Sequence, residues 1–448
     1  MPQPAAIFHR NKQYKDAESI YRSILQQDPK HGESHHLLGA LLLDLHGLSR
    51  FEEAKGHLLS AISCCPKNSK YRQSLGVAYQ RKGDKLEAVE CLERANEKDP
   101  MNVQILMQLG RLLKDAGRPH RAVEVYRSVT LLEPDHPMAH YRAAALLRTL
   151  GKYEQSLVHF RQHLRLFPDH AEAKFWIAAL SGDSHAAEAP PPRCIASLFD
   201  QYSDYFDQHL VTQLEYRTPQ LLMDALLSAA SAEALSPPWT RCVDLGVGTG
   251  LMGPLLRPHV KPNGLEGVDL SAGMIAKAKA EGRGYDRLKV VELVQYLQEA
   301  AAQMGGTGMP EDEAVSQKPE GKGLYECVVA ADVFVYLGDL RPAFAAAAAV
   351  SRKRALFAFS VEAGEDHSSK SKQSTTGAEV LACGGQQQQQ QQSQPYSLLP
   401  TGRYVHTAQY LRDALNDTGW HVCVLQGGTL RNNGGKPVRG HMCVAART

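Results

Sequence analysis

The chain has 448 residues, which is enough for two or three domains. Its 50 basic and 48 acidic residues leave a net charge of +2, so nothing in the composition indicates a nucleic-acid or anionic-membrane partner. The nine cysteines show no C-x-x-C spacing, and we therefore expect free thiols in a reducing compartment, with no metal site and no disulfide framework. No signal peptide is visible, and no apolar run reaches the roughly 18 residues of a membrane span. We expect a cytoplasmic protein.

The first 180 residues repeat with a period of about 34 residues. Five prolines are spaced 34 to 37 residues apart, and each follows a small residue by twelve positions and a bulky one by eight. The small residues let two antiparallel helices pack closely, and each proline ends the second helix of a unit. The prolines are Pro29, Pro66, Pro100, Pro134 and Pro168; the small residues are Ala17, Ala54, Ala88, Ala122 and Ser156; the bulky residues are Tyr21, Leu58, Leu92, Tyr126 and Phe160.

These positions resemble those of the tetratricopeptide repeat, which implies a helical solenoid over residues 1–181. The second unit is longer, and we place its insertion at Leu45–Phe51, in the turn between its two helices. The resemblance also implies a protein or peptide partner on the concave face of the array, which the fold does not name. Residues 182–193 contain three consecutive prolines and predict a linker.

A glycine-rich turn follows a short apolar strand at residues 242–253 and predicts the first βα unit of a nucleotide-binding sheet. Two interpretations fit it. Gly248 to Gly253 matches the G-x-G-x-x-G dinucleotide fingerprint, with Asp269 placed as the ribose-binding acid. Asp244 to Gly250 instead reads Asp-x-Gly-x-Gly-x-Gly. Asp244 favours this second pattern, because a carboxylate so close to the turn would repel a pyrophosphate but suits an ammonium group.

The second pattern resembles the first motif of the class I S-adenosylmethionine-dependent methyltransferases. Residues 194–448 as a whole are similar to the bacterial-type tetratricopeptide-repeat methyltransferases. The resemblance implies a Rossmann-like, seven-stranded domain after the solenoid, with S-adenosyl-L-methionine as cofactor and a methyl acceptor that it does not identify. Residues 301–323 and 363–395 are predicted to be insertions between strands. The second contains seven consecutive glutamines, a composition that predicts disorder.

The predicted cofactor site follows from this resemblance. Asp269, at the end of the second strand, is expected to accept both ribose hydroxyls, because a carboxylate has two oxygens. Ser271 is the expected cap of the next helix. Glu292 and Leu293 stand where the family often has an aspartate and a small residue facing adenine. The full predicted cofactor-binding set is Asp244, Gly246, Gly248, Gly250, Asp269, Leu270, Met274, Glu292, Leu293, Asp332, Tyr202 and Phe206.

Tyr202 and Phe206 belong to an aromatic, acidic segment over residues 195–207. It resembles the helix that covers the cofactor in many small-molecule methyltransferases; the alternative is simple packing against the sheet. Methyl transfer requires positioning and, for some acceptors, removal of a proton, but no protein nucleophile. The predicted catalytic residues are His406 and Tyr336. The alternative for His406 is a structural or surface role.

Three functions remain open at this level. The first is methylation of a small metabolite, with the repeats mediating protein interaction, and we favour it slightly because the covering segment suits an enclosed site. The second is methylation of a protein that the repeats recruit. The third is a non-catalytic adaptor with a vestigial cofactor fold, against which the complete Asp244, glycine and Asp269 set argues.

Overall fold

The computed structural model describes residues 13–183, 216–233, 235–305, 324–364, 394–433 and 435–448, together with residues 8, 11, 192, 195–196 and 199–200. The chain divides into two compact units, Met1–Ala173 and Lys174–Thr448. None of the helices in these ranges is both long enough and apolar enough to cross a membrane. The seven cysteines within them are free thiols.

Helix pairs build the first unit and confirm the repeat prediction. A 3-10 turn at Gly47–Arg50 lies between the helices of the longer unit, where the insertion was predicted. The helices of the first unit are α1 Tyr14–Gln27, α2 Gly32–His46, α3 Phe51–Cys64, α4 Ser69–Lys82, α5 Lys85–Lys98, α6 Val103–Asp115, α7 Pro119–Leu132, α8 Pro137–Thr149 and α9 Tyr153–Leu166. The next helix, α10 Ala171–Ser181, belongs to the second unit from Lys174 onward.

Close helix contact explains the repeat pattern. A Cβ built on Gly110 of α6 would lie 2.7 Å from the Tyr126 ring of α7, and one on Gly76 of α4 would lie 3.2 Å from Leu92 of α5. In three of the units, the bulky residue eight positions before the proline therefore fills the space that a glycine of the preceding helix leaves open. The five small residues of the pattern are all fully buried.

The second unit is a sheet with helices on both faces. Its strands in the described ranges are β1 Cys242–Leu245, β2 Leu265–Asp269, β3 Arg287–Val290, β4 Tyr325–Ala330, β5 Ser351–Ala363, β6 Tyr396–Leu398, β7 Tyr404–His406, β8 Trp420–Asn433 and β9 Lys436–Arg447. Its helices there are α11 Thr218–Ala232, α12 Gly253–Leu256, α13 Ala272–Ala280, α14 Leu293–Gly305, α15 Arg341–Val350 and α16 Ala408–Asp417.

Seven of these strands follow the order β3-β2-β1-β4-β5-β9-β8. The first five run parallel, and β9 pairs antiparallel with both β5 and β8. This path confirms the predicted seven-stranded domain. The short β6–β7 hairpin, which pairs with the end of β5 at Glu362 and Ala363, is an addition that was not predicted. Near it, Phe175 and Ala179 pack against Leu398 and Tyr404 within the second unit.

Both faces of the sheet are buried. Val243 and Leu245 of β1 belong to one apolar core, and Cys242 belongs to the other. Parallel strands with helices on both sides are typically apolar throughout, so a charged residue in β1 is unusual. Asp244 is that residue, and it lies beside the site described next.

Candidate active site

A cavity of about 980 Å³ lies at the carboxyl ends of β1, β2 and β4. Open α/β sheets bind their ligands at this edge. The predicted site residues that line it are Asp244, Gly246, Gly248, Asp269, Leu270, Met274, Glu292, Leu293, Asp332 and Tyr336. Tyr202 and Phe206 lie outside the described residues. Gly250 and His406 do not line the cavity.

Three glycines of the loop adopt backbone conformations that other residues adopt only with strain. Gly246, Gly248 and Gly250 have φ angles of 73°, 57° and 88°, in the left-handed region that glycine adopts without strain. A Cβ on Gly246 would also lie 2.3 Å from the Val333 side chain. Gly250 faces Arg283 rather than the cavity, so its role is to complete the turn and not to admit a ligand.

The helix after the loop is short. It spans only Gly253–Leu256 and gives way to a 3-10 turn at Arg257–His259. Pro258 lies in that turn and cannot donate the backbone hydrogen bond that would extend the helix. The glycine loop and the strand ends, rather than a helix dipole, therefore form this side of the site.

Asp244 carries a buried carboxylate at the end of β1, with 1% of the residue exposed. The phenol of Tyr285 donates a hydrogen bond to its Oδ2 at 2.5 Å. Burial raises the pKa of Asp244 to about 7; the hydrogen bond from Tyr285 opposes this rise, and the nearby charge of Asp269 adds to it. The sequence contained no signal for Tyr285, which lies between α13 and β3.

Asp269 joins β2 to the glycine loop. Its Oδ2 accepts a hydrogen bond from the backbone N–H of Gly248, and its Oδ1 accepts one from Ser271, both at 2.8 Å. Burial raises the pKa of Asp269, and these backbone donors lower it. A carboxylate has about four acceptor positions, so at least one remains for a hydroxyl group of a ligand.

An apolar side of the cavity lies beyond Asp269. Leu270, Met274, Val291 and Leu293 line it. Glu292 also lines the cavity, and its Oε2 accepts a hydrogen bond from the backbone N–H of Gln295 at 2.7 Å. Glu292 therefore caps the start of α14 in addition to facing the cavity.

Four residues of the predicted covering segment are described, Ile195, Ala196, Phe199 and Asp200. The carboxylate of Asp200 accepts hydrogen bonds from Ser271 Oγ at 2.5 Å and from the Gly273 N–H at 2.9 Å, at the start of α13. Ser271 also accepts a hydrogen bond from the Met274 N–H, which confirms it as the helix cap. Phe199 lines the cavity and meets the Tyr336 ring edge to face, with centroids 5.6 Å apart. Phe199 and Asp200 were not predicted as site residues.

A charged network forms the opposite side of the cavity, and we call it the polar wall (Asp332, Tyr336, Glu362, Arg403 and Arg431). Arg431, only 7% exposed at its side chain, donates to Asp332 at 2.8 Å and to Glu362. Arg403 donates to Glu362 at 2.6 Å and to the Tyr336 hydroxyl at 3.0 Å. Glu362, Arg403 and Arg431 were missed by sequence reasoning, because they come from β5, the start of β7 and β8.

Asp332 adopts a strained backbone conformation at the polar wall, with φ of 56°. Its backbone N–H donates to Ser360 Oγ at 2.8 Å, and that hydroxyl donates to the Asp332 carboxylate at 3.1 Å. Backbone strain held by such contacts is frequent at ligand sites. The geometry directs the Asp332 carboxylate towards Arg431.

His406 lies away from the cavity. It is fully buried, its Nε2 donates to the Gly338 carbonyl at 2.9 Å, and its ring stacks on Tyr410 with centroids 5.7 Å apart. Burial lowers the pKa of His406 to about 4, so the imidazole is neutral. A general base must reach the proton that it removes, and this placement does not bring His406 to the cavity.

Two protein-family models match parts of the chain. Residues 213–424 match a family model described as a methyltransferase domain, and residues 74–128 and 107–171 match a tetratricopeptide repeat. The methyltransferase match favours the Asp-x-Gly-x-Gly-x-Gly interpretation of the glycine stretch over the dinucleotide one. No curated protein sequence matches the chain.

Several solved structures resemble the repeats. The crystal structure of MamA is 18% identical, covers 37% of this chain and 96% of its own, and has a TM-score of 0.34. YrrB, described as a TPR protein with an unusual peptide-binding site, is 21% identical over 38% and 86%, with a TM-score of 0.33. Pseudomonas aeruginosa pilF is 17% identical over 46% and 90%, with a TM-score of 0.35. At these values the resemblance carries no functional argument.

Proposed function

We propose that this chain, which joins tetratricopeptide repeats to a methyltransferase domain, uses S-adenosylmethionine to methylate an acceptor that enters the cavity beside the polar wall. One observation carries the proposal. Asp244 and Asp269 end two adjacent parallel strands and line one cavity, with the glycine loop running between them.

The residues present fit this cofactor. The buried Asp244 carboxylate suits the ammonium group of the methionine part, and the remaining acceptor capacity of Asp269 suits the ribose. Leu270, Met274 and Leu293 provide an apolar side for the base. A dinucleotide fits less well, because the Asp244 carboxylate would repel its pyrophosphate at the glycine loop.

The residues of the chain have three tasks in this mechanism. When bound, S-adenosylmethionine supplies an electrophilic methyl group. Asp244 and Asp269 orient the cofactor, and Phe199 and Tyr336 narrow the cavity and exclude water. Holding two reactants in line accounts for much of the catalysis of such transfers.

Proton removal falls to the polar wall. Glu362 receives hydrogen bonds from two arginines, whereas Asp332 receives one, from Arg431. Asp332 also directly precedes Val333, whose side chain lies beside Gly246 of the glycine loop, where the cofactor is expected. We therefore assign to Asp332 the uptake of a proton from an O–H or N–H acceptor and to Tyr336 the positioning of that acceptor.

The size of the cavity favours an acceptor that enters it. Ligand pockets commonly measure about 300–1,000 Å³, and this one lies at the upper end, with room for a cofactor and a second small group. The cavity volume favours a small metabolite as acceptor. A single side chain of a protein is also small enough to enter the cavity, and the repeat array is the feature that favours a protein acceptor.

Titration calorimetry with S-adenosylmethionine tests the cofactor assignment. We expect Asp269→Ala to weaken binding by about 1–3 kcal/mol, the value of hydrogen bonds to a charged group. Asp224→Ala, which removes an exposed acid on α11, is the matched control and should bind normally. Equal affinity for Asp269→Ala and wild type would contradict the assignment, and tight NADH binding without S-adenosylmethionine binding would overturn the proposal.

A shortened chain distinguishes the two acceptor classes. It should begin at Ala171 rather than in the predicted linker, because Phe175 and Ala179 pack on the second unit. If the acceptor is a small molecule, the shortened chain keeps both cofactor affinity and methyl transfer to a metabolite extract. If the repeats recruit a protein, cofactor affinity stays and transfer of labelled methyl groups to that protein is lost.

A further inference from the structure

Three potential metal ligands meet away from the cavity, where α11 ends beside β8. They are Glu233, just after α11, and His421 and Cys423 on β8; none of the three lines the cavity. Glu233 Oε1 lies 3.2 Å from His421 Nε2 and 3.5 Å from Cys423 Sγ. The sulfur lies 3.6 Å from the same imidazole nitrogen.

These separations match a tetrahedral metal site. Zinc binds thiolate sulfur at about 2.3 Å and imidazole nitrogen or carboxylate oxygen at about 2.0–2.2 Å. Tetrahedral angles then place the sulfur about 3.5 Å from each of the other two ligands, and those two about 3.3 Å from each other. The three observed distances agree with these values to about 0.1 Å. We propose that Glu233, His421 and Cys423 bind a zinc-class divalent cation, with the fourth position open to solvent.

The strand is shaped locally for this arrangement. In the pairing of β8 with β9, Val422 lies opposite Ala445 and Val424 opposite Val444, so Cys423 is the extra residue of a β-bulge. Bulges redirect a side chain and are frequent next to functional sites. Among the described strands, β8 pairs with β9 alone and lies at the edge of the sheet, and His421 is half exposed, so a metal ion can enter from solvent.

A plain ion pair accounts for only part of the cluster. Glu233 and His421 alone would form an ordinary surface pair, which contributes little to stability. The thiol is the feature that such a pair does not need, and sulfur with imidazole and carboxylate is a ligand set that zinc accepts. No sequence motif could reveal the site, because Glu233 precedes His421 by 188 residues.

The proposed metal site would connect one end of α11 to one end of β8, and the other ends of both elements lie at the cavity. The Thr218 hydroxyl, at the start of α11, donates to the Leu430 carbonyl of β8 at 3.2 Å. Tyr216 and Arg431, each beside one of these residues, line the cavity. Bound metal would join α11 and β8 at the opposite end, so its role would be to stabilise the second unit rather than to take part in methyl transfer.

The test uses the full chain, purified under reducing conditions and stripped of metal. We expect Co²⁺ to produce a thiolate-to-cobalt charge-transfer absorption at one equivalent, and Zn²⁺ to displace it. Cys423→Ser should abolish this absorption, while Cys65→Ser, which removes an exposed thiol elsewhere, should leave it unchanged. Glu233→Gln and His421→Ala should each weaken Zn²⁺ binding at least about 100-fold, because loss of even an outer-shell partner costs 10- to 100-fold.

Thermal unfolding provides a second measurement. Free Zn²⁺ at about 100 times its Kd should raise Tm by about 5–10 °C in the wild type and in Cys65→Ser. Cys423→Ser and Glu233→Gln should show no such rise. A cobalt spectrum that is the same in Cys423→Ser and wild type would overturn the proposal, as would the absence of stoichiometric binding. None of these measurements involves S-adenosylmethionine, so they test the metal site independently of the proposed function.

Discussion

The phenol of Tyr285 donates a hydrogen bond to the buried carboxylate of Asp244, and it is the one contact that opposes the effect of burial on this acid. Burial raises the pKa of Asp244 from 3.8 to about 7, so the folded chain binds this proton more tightly than the unfolded chain does. The stability of the fold without ligand therefore falls as pH rises from about 4 to 7. The carboxylate is retained at a cost to stability.

We expect Asp244→Asn to separate stability from binding. The amide has no charge to bury and can still accept the hydrogen bond of Tyr285, so the ligand-free variant should be more stable than wild type at pH 8, by a few kcal/mol. The gain should shrink at pH 5, where wild-type Asp244 is already protonated in the fold. S-adenosylmethionine binding should be lost at both pH values. Thermal melts and calorimetry check this, and a lower Tm at pH 8 would contradict it.

We expect the affinity for S-adenosylmethionine to increase with pH. A neutral Asp244 cannot pair with an ammonium group, so we expect affinity to rise with pH through about 7 and then level off. Tyr285→Phe removes the hydrogen bond that lowers the pKa of Asp244, and the midpoint should move to higher pH. Tyr296→Phe, which removes a phenol bound to Glu266 away from this cavity, is the control. Calorimetry from pH 6 to 9 measures both midpoints; coincident midpoints would count against the role of Tyr285.

Loss of Arg431 should disrupt the polar wall. Arg431→Met leaves Asp332, 12% exposed at its side chain, without its arginine and the buried Glu362 with only Arg403, and unpairing a buried charge costs about 3–5 kcal/mol. We expect a lower free energy of unfolding and loss of methyl transfer. Arg439→Met, which removes an exposed arginine at the rim of the same cavity, should change stability by no more than about 0.5 kcal/mol. Equal denaturation midpoints for the two variants would refute this account.

Two glycines of the repeat unit should respond in opposite ways to alanine. A Cβ on Gly110 would press on the Tyr126 ring, and we expect Gly110→Ala to destabilise the repeats by about 1–3 kcal/mol. Gly56 lies within α3 with no atom within 4 Å of the added carbon, so Gly56→Ala should stabilise them by up to about 1 kcal/mol. Chemical denaturation of the two variants tests this contrast in sign.

The sequence allowed local patterns to be predicted, but it did not reveal contacts between residues that lie far apart in the chain. The 34-residue period, the loop glycines and the Ser271 cap depend on residues that lie near one another in the chain. Arg431 and Tyr285 act on partners 99 and 41 residues away, with no fixed spacing to reveal them. His406 was predicted as a catalytic residue but is buried away from the cavity. The sequence could not distinguish these placements, because the side chain of a polar residue at a strand end can point into the cavity or into the core.

The polar wall is the last part of the proposed site to be synthesised. Its members come from β5, from the residue before β7, from β8 and from the loop after β4, and within the described ranges β8 pairs with β9, which is synthesised after it. The glycine loop, Asp244 and Asp269 leave the ribosome well before that hairpin. In the proposed function, the residues that would hold the cofactor are therefore synthesised before those that would receive the acceptor. Methyl transfer by that mechanism would require a chain that has been translated through β9.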